Sequence, residues 1–137
     1  MTATHSVVIE KEMHHAPEKV WRALTEGSLI KAWLMDNDFQ PVVGHKFQFR
    51  STPVPNWNGL IDSEIKVVEP QKKLSYSWDS MGLSTVVEWT LVATAGGTLL
   101  RMEQTGFPDD KGPYYNGAKW GWTNFIGKMD GVVAGLE

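Results

Sequence analysis

The 137-residue chain has no cysteine, which excludes disulfides and thiolate metal sites alike. Its four histidines, His5, His14, His15 and His45, show neither HxH nor HxxxH spacing. His14 and His15 are neighbours on a strand-like stretch, so their side chains point to opposite faces and cannot chelate together. No metal and no cofactor are expected. Basic residues are few and dispersed: Lys72-Lys73 is the densest pair, and the formal net charge is −3. Without a clustered basic face, no nucleic-acid partner is expected. No run approaches the roughly 18 apolar residues of a membrane span, and residues 1–13 lack the charged-then-apolar order of a signal peptide. A soluble, cytoplasmic protein is the expectation. Asp36-Asn37-Asp38 opens like a calcium loop, but the Gly and distal Glu of such a loop are missing at its spacing; a solvated loop is expected. No serine sits in a G-x-S-x-G elbow, so a hydrolase has no support.

What the chain has in quantity is tryptophan, seven in all, within an ordinary 42% apolar and 21% charged composition. Such side chains build large walls, suited to a thick core or to an apolar pocket. The length fits one domain, residues 1–137.

Residues 5–15 alternate as a strand, with Val7, Ile9 and Met13 on one face. Pro17 and Glu18 suit the start of a helix, whose apolar face is Val20, Trp21 and Leu24 and which Gly27 ends. Ser28 is placed to cap a second short helix over residues 29–34. From there to residue 107 the period is that of strands: 44–50, 59–69, 74–78, 84–94 and 98–106, the last two joined at Ala95-Gly96-Gly97. Residues 52–58 read as a loop carrying Trp57, and 107–113 as a polar loop. Alternation with one polar face indicates an antiparallel sheet solvated on its outer side.

Residues 112–137 form the only long amphipathic segment. At about 100° per residue, Trp122, Phe125, Ile126, Met129, Val132, Val133 and Leu136 share one face. That face has one place to go, which is across the sheet. The expected fold is α+β: a curved six-stranded antiparallel sheet around a long C-terminal helix, with two short helices between strands 1 and 2. If the sheet curves around the helix without closing on it, a pocket is left between them.

Parity sends Glu64, Glu88 and Glu103 to the polar face, so no catalytic carboxylate and no catalytic residue is expected. Ser63, Tyr76 and Gln104 share parity with inward apolar residues. They read either as hydrogen-bonding fixtures for a ligand or as groups satisfied by one another or by buried water. Phe47, Phe49, Trp78, Trp89 and Met102 are candidates for the pocket's apolar wall, with Phe125 from the helix. Trp33 and Phe39 are candidates for one rim. Trp120 projects off the helix's apolar face, and a cavity mouth, the first strand and a second subunit are all open to it. Glycines at 117, 121, 127, 131 and 135 each cost a helix about 1 kcal/mol against alanine. They suit either a loose helix acting as a gate or close packing.

The element order, with Ala16-Pro17-Glu18-Lys19-Val20-Trp21-Arg22-Ala23-Leu24-Thr25, Trp33, Gly44-His45-Lys46-Phe47, Gly59, Val68-Glu69-Pro70-Gln71-Lys72-Lys73-Leu74-Ser75-Tyr76-Ser77-Trp78, Ser84-Thr85-Val86-Val87, Gly97-Thr98, Thr105-Gly106-Phe107 and Gly121-Trp122, resembles the SRPBCC (START-like, birch-pollen-allergen-like) superfamily. Within it, the likeness is to the activator of heat shock protein 90 ATPase homologue family. The resemblance covers nearly the whole chain and implies a helix-grip fold. It also implies a cavity for an apolar small molecule such as a lipid, sterol or polyketide. ATPase activation stays a family label, because no room is expected for a second, chaperone-binding domain. Non-catalytic binding of a small hydrophobic or amphipathic molecule is therefore the leading expectation. The alternatives are a cochaperone-like interaction module, with a protein partner or a homodimer, and a polyketide cyclase-like enzyme.

Overall fold

A computed structural model of the chain describes residues 5–55, 57–108 and 113–136, with the side chains of 113 and 114 excepted. The order is β1 (His5–Met13), α1 (Pro17–Thr25), α2 (Gly27–Trp33), β2 (Asp36–Asn37), β3 (Lys46–Arg50), β4 (Leu60–Glu69), β5 (Lys73–Ser80), β6 (Leu83–Thr94), β7 (Gly97–Phe107) and α3 (Pro113–Ala134). The sheet is wholly antiparallel in the order β1-β7-β6-β5-β4-β3-β2. The fold is α+β of helix-grip type. Among the described residues no helix is long and apolar enough to cross a membrane.

The alternation seen in the sequence is the alternation of burial. Val87, Trp89 and Leu91 of β6 and Leu100, Met102 and Gln104 of β7 are buried, while Val86 and Val92 are exposed. Inward residues of the sheet meet Trp122, Ile126, Met129 and Val133 of α3, all buried. The helix also packs on α1, α2 and β1. Lys19 Nζ donates to the Leu136 carbonyl at 3.3 Å, and His15 Nε2 lies 2.9 Å from Asp130 Oδ1.

Four details differ from the sequence reading. The sheet has seven strands, not six, because Asp36 and Asn37 pair with Arg50 and Phe49 instead of lying in a solvated loop. A two-residue strand carries no alternation, so only the open edge of β3 reveals it. Gly27 opens α2 instead of closing α1, and Ser28 is not the cap. The junction is Glu26, in extended conformation, whose N–H bonds to the Arg22 carbonyl while its own carbonyl accepts from Leu29 and Ile30. In β4 alternation puts Val67 on the face of Ile61, Ser63 and Ile65, but a register shift between Ile65 and Val67 makes Val68 the residue packed on the core, as a bulge reverses facing along a strand. The loop before β4 contains a bridge between Val54 and Trp57. Residues 109–112, most of the expected polar loop and the start of the expected helix, lie outside the described residues, as does Glu137.

Candidate functional site

An apolar cleft of about 430 Å³ lies beside the N-terminal half of α3, within the ordinary range for small-molecule sites. Ile61, Trp78, Leu83, Gln104 and Phe107 of the sheet form its floor, and Gly117, Ala118, Gly121, Trp122 and Phe125 of α3 form its roof. Met35, Trp57, Ser80 and Met81 complete the walls. Two other depressions, of about 520 and 540 Å³, are larger but more open. One presents Asp38, Lys46, Asp62, Glu64 and Asp79 along its wall, and the other surrounds the β4–β5 turn. Charged side chains stand in the walls of both.

Two anchors hold this part of the helix off the sheet. At its start, the Tyr115 hydroxyl donates to the Ser6 carbonyl at 3.0 Å, and its ring meets Phe107 edge-on at 5.5 Å. Two turns on, Trp122 packs against Trp78 (4.9 Å) and edge-on to Trp89 (5.6 Å). Between the anchors the roof is Gly117, Ala118 and Gly121. A Cβ at Gly117 would meet no atom within 4 Å, and one at Gly121 only the Phe125 ring at 3.8 Å. Both glycines border the cleft, and a side chain at either would meet no backbone.

The floor carries a directional hydrogen-bond chain. Trp122 Nε1–H donates to Gln104 Oε1 (2.7 Å), Gln104 Nε2–H to Thr85 Oγ1 (2.9 Å), and the Thr85 hydroxyl to the Trp78 carbonyl (2.7 Å). An indole N–H can only donate, so it fixes which way the amide faces. On the opposite wall Trp57 Nε1–H donates to Ser80 Oγ (2.9 Å), whose hydroxyl donates to the Leu60 carbonyl (3.1 Å). Met81 and Gly82 form the two-residue turn between β5 and β6 with φ of 49° and 85°, the signature of a type I′ hairpin. That turn holds the exposed Met81 at the rim.

Of the residues expected at a ligand site, the structure brings Trp78, Gln104 and Phe125 to the cleft. Trp33, Phe39, Phe47, Phe49, Tyr76, Trp89 and Met102 are buried in the core and do not line it. Phe39, Phe47, Phe49 and Tyr76 pack edge-on or tilted against one another with centroids 5.1–6.2 Å apart, filling that part of the groove with rings. Trp33 meets Trp89 edge-on, and its N–H is taken by the Ala23 carbonyl. Trp89 Nε1–H donates to the Tyr76 hydroxyl at 2.9 Å; burial raises the Tyr76 pKa well above its ordinary value, and this bond only partly opposes it. Ser63 Oγ is buried without a partner among the described residues, and Ser63 lies with Phe47 at the more open acidic depression, not at the cleft. Trp120 is 74% exposed. The wall residues Met35, Trp57, Ile61, Ser80, Met81 and Leu83 were not anticipated, since nothing in the sequence joins them. The small-residue trio of α3 had a signal, its spacing of i, i+1 and i+4. Among the described residues no group of three or more His, Asp or Glu is placed to hold a metal.

A curved sheet gripping a terminal helix, with an apolar cleft under the helix's first turns, defines a helix-grip protein. The chain belongs to the activator of Hsp90 ATPase homolog 1-like protein family, whose profile matches residues 14–134. Among solved structures it is similar to protein MLL2253 from Mesorhizobium loti, with 44% identity over 97% of this chain and 99% of that one, and a TM-score of 0.90. The fold is shared with the Aha1 dimer from Colwellia psychrerythraea (18% identity, 94% of each chain, TM-score 0.82). It is also shared with CalU16 from Micromonospora echinospora (21% identity, 96% of this chain and 78% of that one, TM-score 0.80). No curated protein matches the chain.

Proposed function

We propose that the protein binds a small hydrophobic or amphipathic molecule in the cleft between the sheet and α3, without chemical conversion, in the cytoplasm. The observation that carries this reading is the glycine–alanine roof. Two anchors flank residues 117–121, and the small residues between them line the cleft. An apolar concavity of this size with a few polar groups in its wall is the usual form of a small-molecule site. The side-chain oxygens and nitrogens of the wall belong to Gln104, Ser80 and three indoles, none of which acts as a general acid or base near neutral pH. Trp78, Gln104 and Phe125 are the proposed contacts. Native mass spectrometry of the protein purified from its own host tests the reading. A co-purifying small molecule that is lost in Gly121→Leu supports it; an empty protein that also fails to take up hydrophobic probes ends it.

A second reading has one specific support. Trp120 stands exposed on the same helix, and the similar Colwellia protein is described as a dimer. A contact between two copies through Trp120 predicts a concentration-dependent dimer in sedimentation that Trp120→Ala abolishes.

A further inference from the structure

The kind of apolar area that the cleft presents narrows the class of guest. Among the described residues, eleven half-buried apolar side chains pack on the core, and six of them line the cleft: Met35, Trp57, Trp78, Leu83, Ala118 and Phe125. Three of the six are aromatic, and they come from three parts of the fold: the loop before β4, β5 and α3. Each ring is held in place. Trp57 Nε1–H donates to Ser80 Oγ, Trp78 packs on both Phe49 (5.0 Å) and Trp122 (4.9 Å), and Phe125 meets Trp122 edge-on at 5.9 Å. Rings already ordered in the free protein lose little freedom when a guest meets them. The roof of Gly117, Ala118 and Gly121 lets a flat guest lie close against the helix. The helical wall runs from Gly117 to Phe125, about 12 Å at the rise of an α-helix, for a cavity of about 430 Å³. That shape is short and broad. A fused ring system fills such a space and brings its faces and edges to the wall rings, where offset and edge-on contacts add to plain burial. A long acyl chain would overrun the wall and leave its breadth empty.

We infer that the guest is a compact molecule with a flat, fused aromatic ring system, held against Trp57, Trp78 and Phe125 under the glycine–alanine roof; the inference rests on the binding role proposed above. Three alcohols of similar hydrophobicity test it on the full-length protein: naphthylethanol, decahydronaphthol and n-octanol. Naphthylethanol is expected to bind about tenfold more tightly than octanol, the worth of one or two aromatic contacts beyond burial. It should also bind more tightly than decahydronaphthol, which is fused but neither flat nor aromatic. Its ring current should move the Ala118 methyl resonance upfield, an effect that both aliphatic alcohols lack. In Phe125→Leu, which keeps the wall apolar, naphthylethanol should lose affinity while octanol binds as before. Equal or tighter binding of either aliphatic alcohol, or an unmoved Ala118 methyl with naphthylethanol bound, overturns the aromatic guest while leaving the cleft a binding site. Should none of the three bind, both the inference and the reading beneath it fail. The resonance is read on the unaltered protein, so the result stands even if the variant does not fold.

Discussion

Trp122 and Gln104 are joined by a 2.7 Å hydrogen bond from indole N–H to amide oxygen, and both are nearly inaccessible to solvent. This bond ties α3 to β7 at the inner end of the cleft. The residues lie only 18 positions apart, yet they sit on opposite layers of the fold. Gln104 is thereby a structural member of the floor before it is a contact for any guest.

Replacing Gln104 by Met keeps most of the volume but strands the Trp122 N–H in an apolar setting. The loss should be about 2–3 kcal/mol, the cost of a buried donor without a partner. Urea unfolding should show a lowered midpoint with an unchanged slope. A change below about 0.5 kcal/mol would show that water replaces the amide.

Gly121→Leu places an aliphatic side chain in the cleft from a helical position with no backbone obstacle. Binding of a hydrophobic probe should weaken by about tenfold or more, the contribution of one buried side chain. The melting temperature should hold or rise, since the helix sheds a glycine penalty of about 1 kcal/mol. Unchanged probe affinity would move the binding site elsewhere.

Two other glycines should respond in opposite senses. At Gly59 φ is +79°, and a Cβ would collide with the Ser51 carbonyl oxygen, so Gly59→Ala should destabilise by on the order of 2 kcal/mol or more. Gly117→Ala meets open space in a helix and should stabilise by up to about 1 kcal/mol. Thermal melts of the two variants side by side decide it.

Burial raises the pKa of Tyr76, the hydrogen bond from Trp89 opposing this only in part. The folded state therefore holds the phenolic proton more tightly than the unfolded chain does. The corresponding stability is complete below the ordinary tyrosine pKa of about 10 and is lost as pH rises above it. In a spectrophotometric titration, the tyrosinate signal removed by Tyr76→Phe should appear only together with alkaline unfolding. Ionisation of Tyr76 before any loss of fold would contradict this. At neutral pH the same variant leaves the Trp89 N–H unpaired and should cost about 1–3 kcal/mol.

The strands were legible because burial on one face imposes a period of two. Val87-Trp89-Leu91 and Leu100-Met102-Gln104 show it directly, and the helical face of Trp122, Ile126, Met129 and Val133 shows the period of 3.6. The strand at Asp36–Asn37, the junction at Glu26 and the shift at Ile65/Val67 were not legible. Each rests on backbone bonds to a partner distant in sequence or on a main-chain conformation that no side chain announces.

The same division runs through the candidate site. By itself the sequence determined that Trp78, Gln104 and Phe125 face inward, because facing is a local property of strand and helix. Which inward residues would be packed solid, and which would border open space, depended on the distance between two layers. Only the tertiary structure decided that distance. Tyr115 on Ser6 and Trp122 on Gln104 set the height of the helix. The rings of Phe39, Phe47, Phe49 and Tyr76 close one end of the groove, while Gly117 and Gly121 leave the other open.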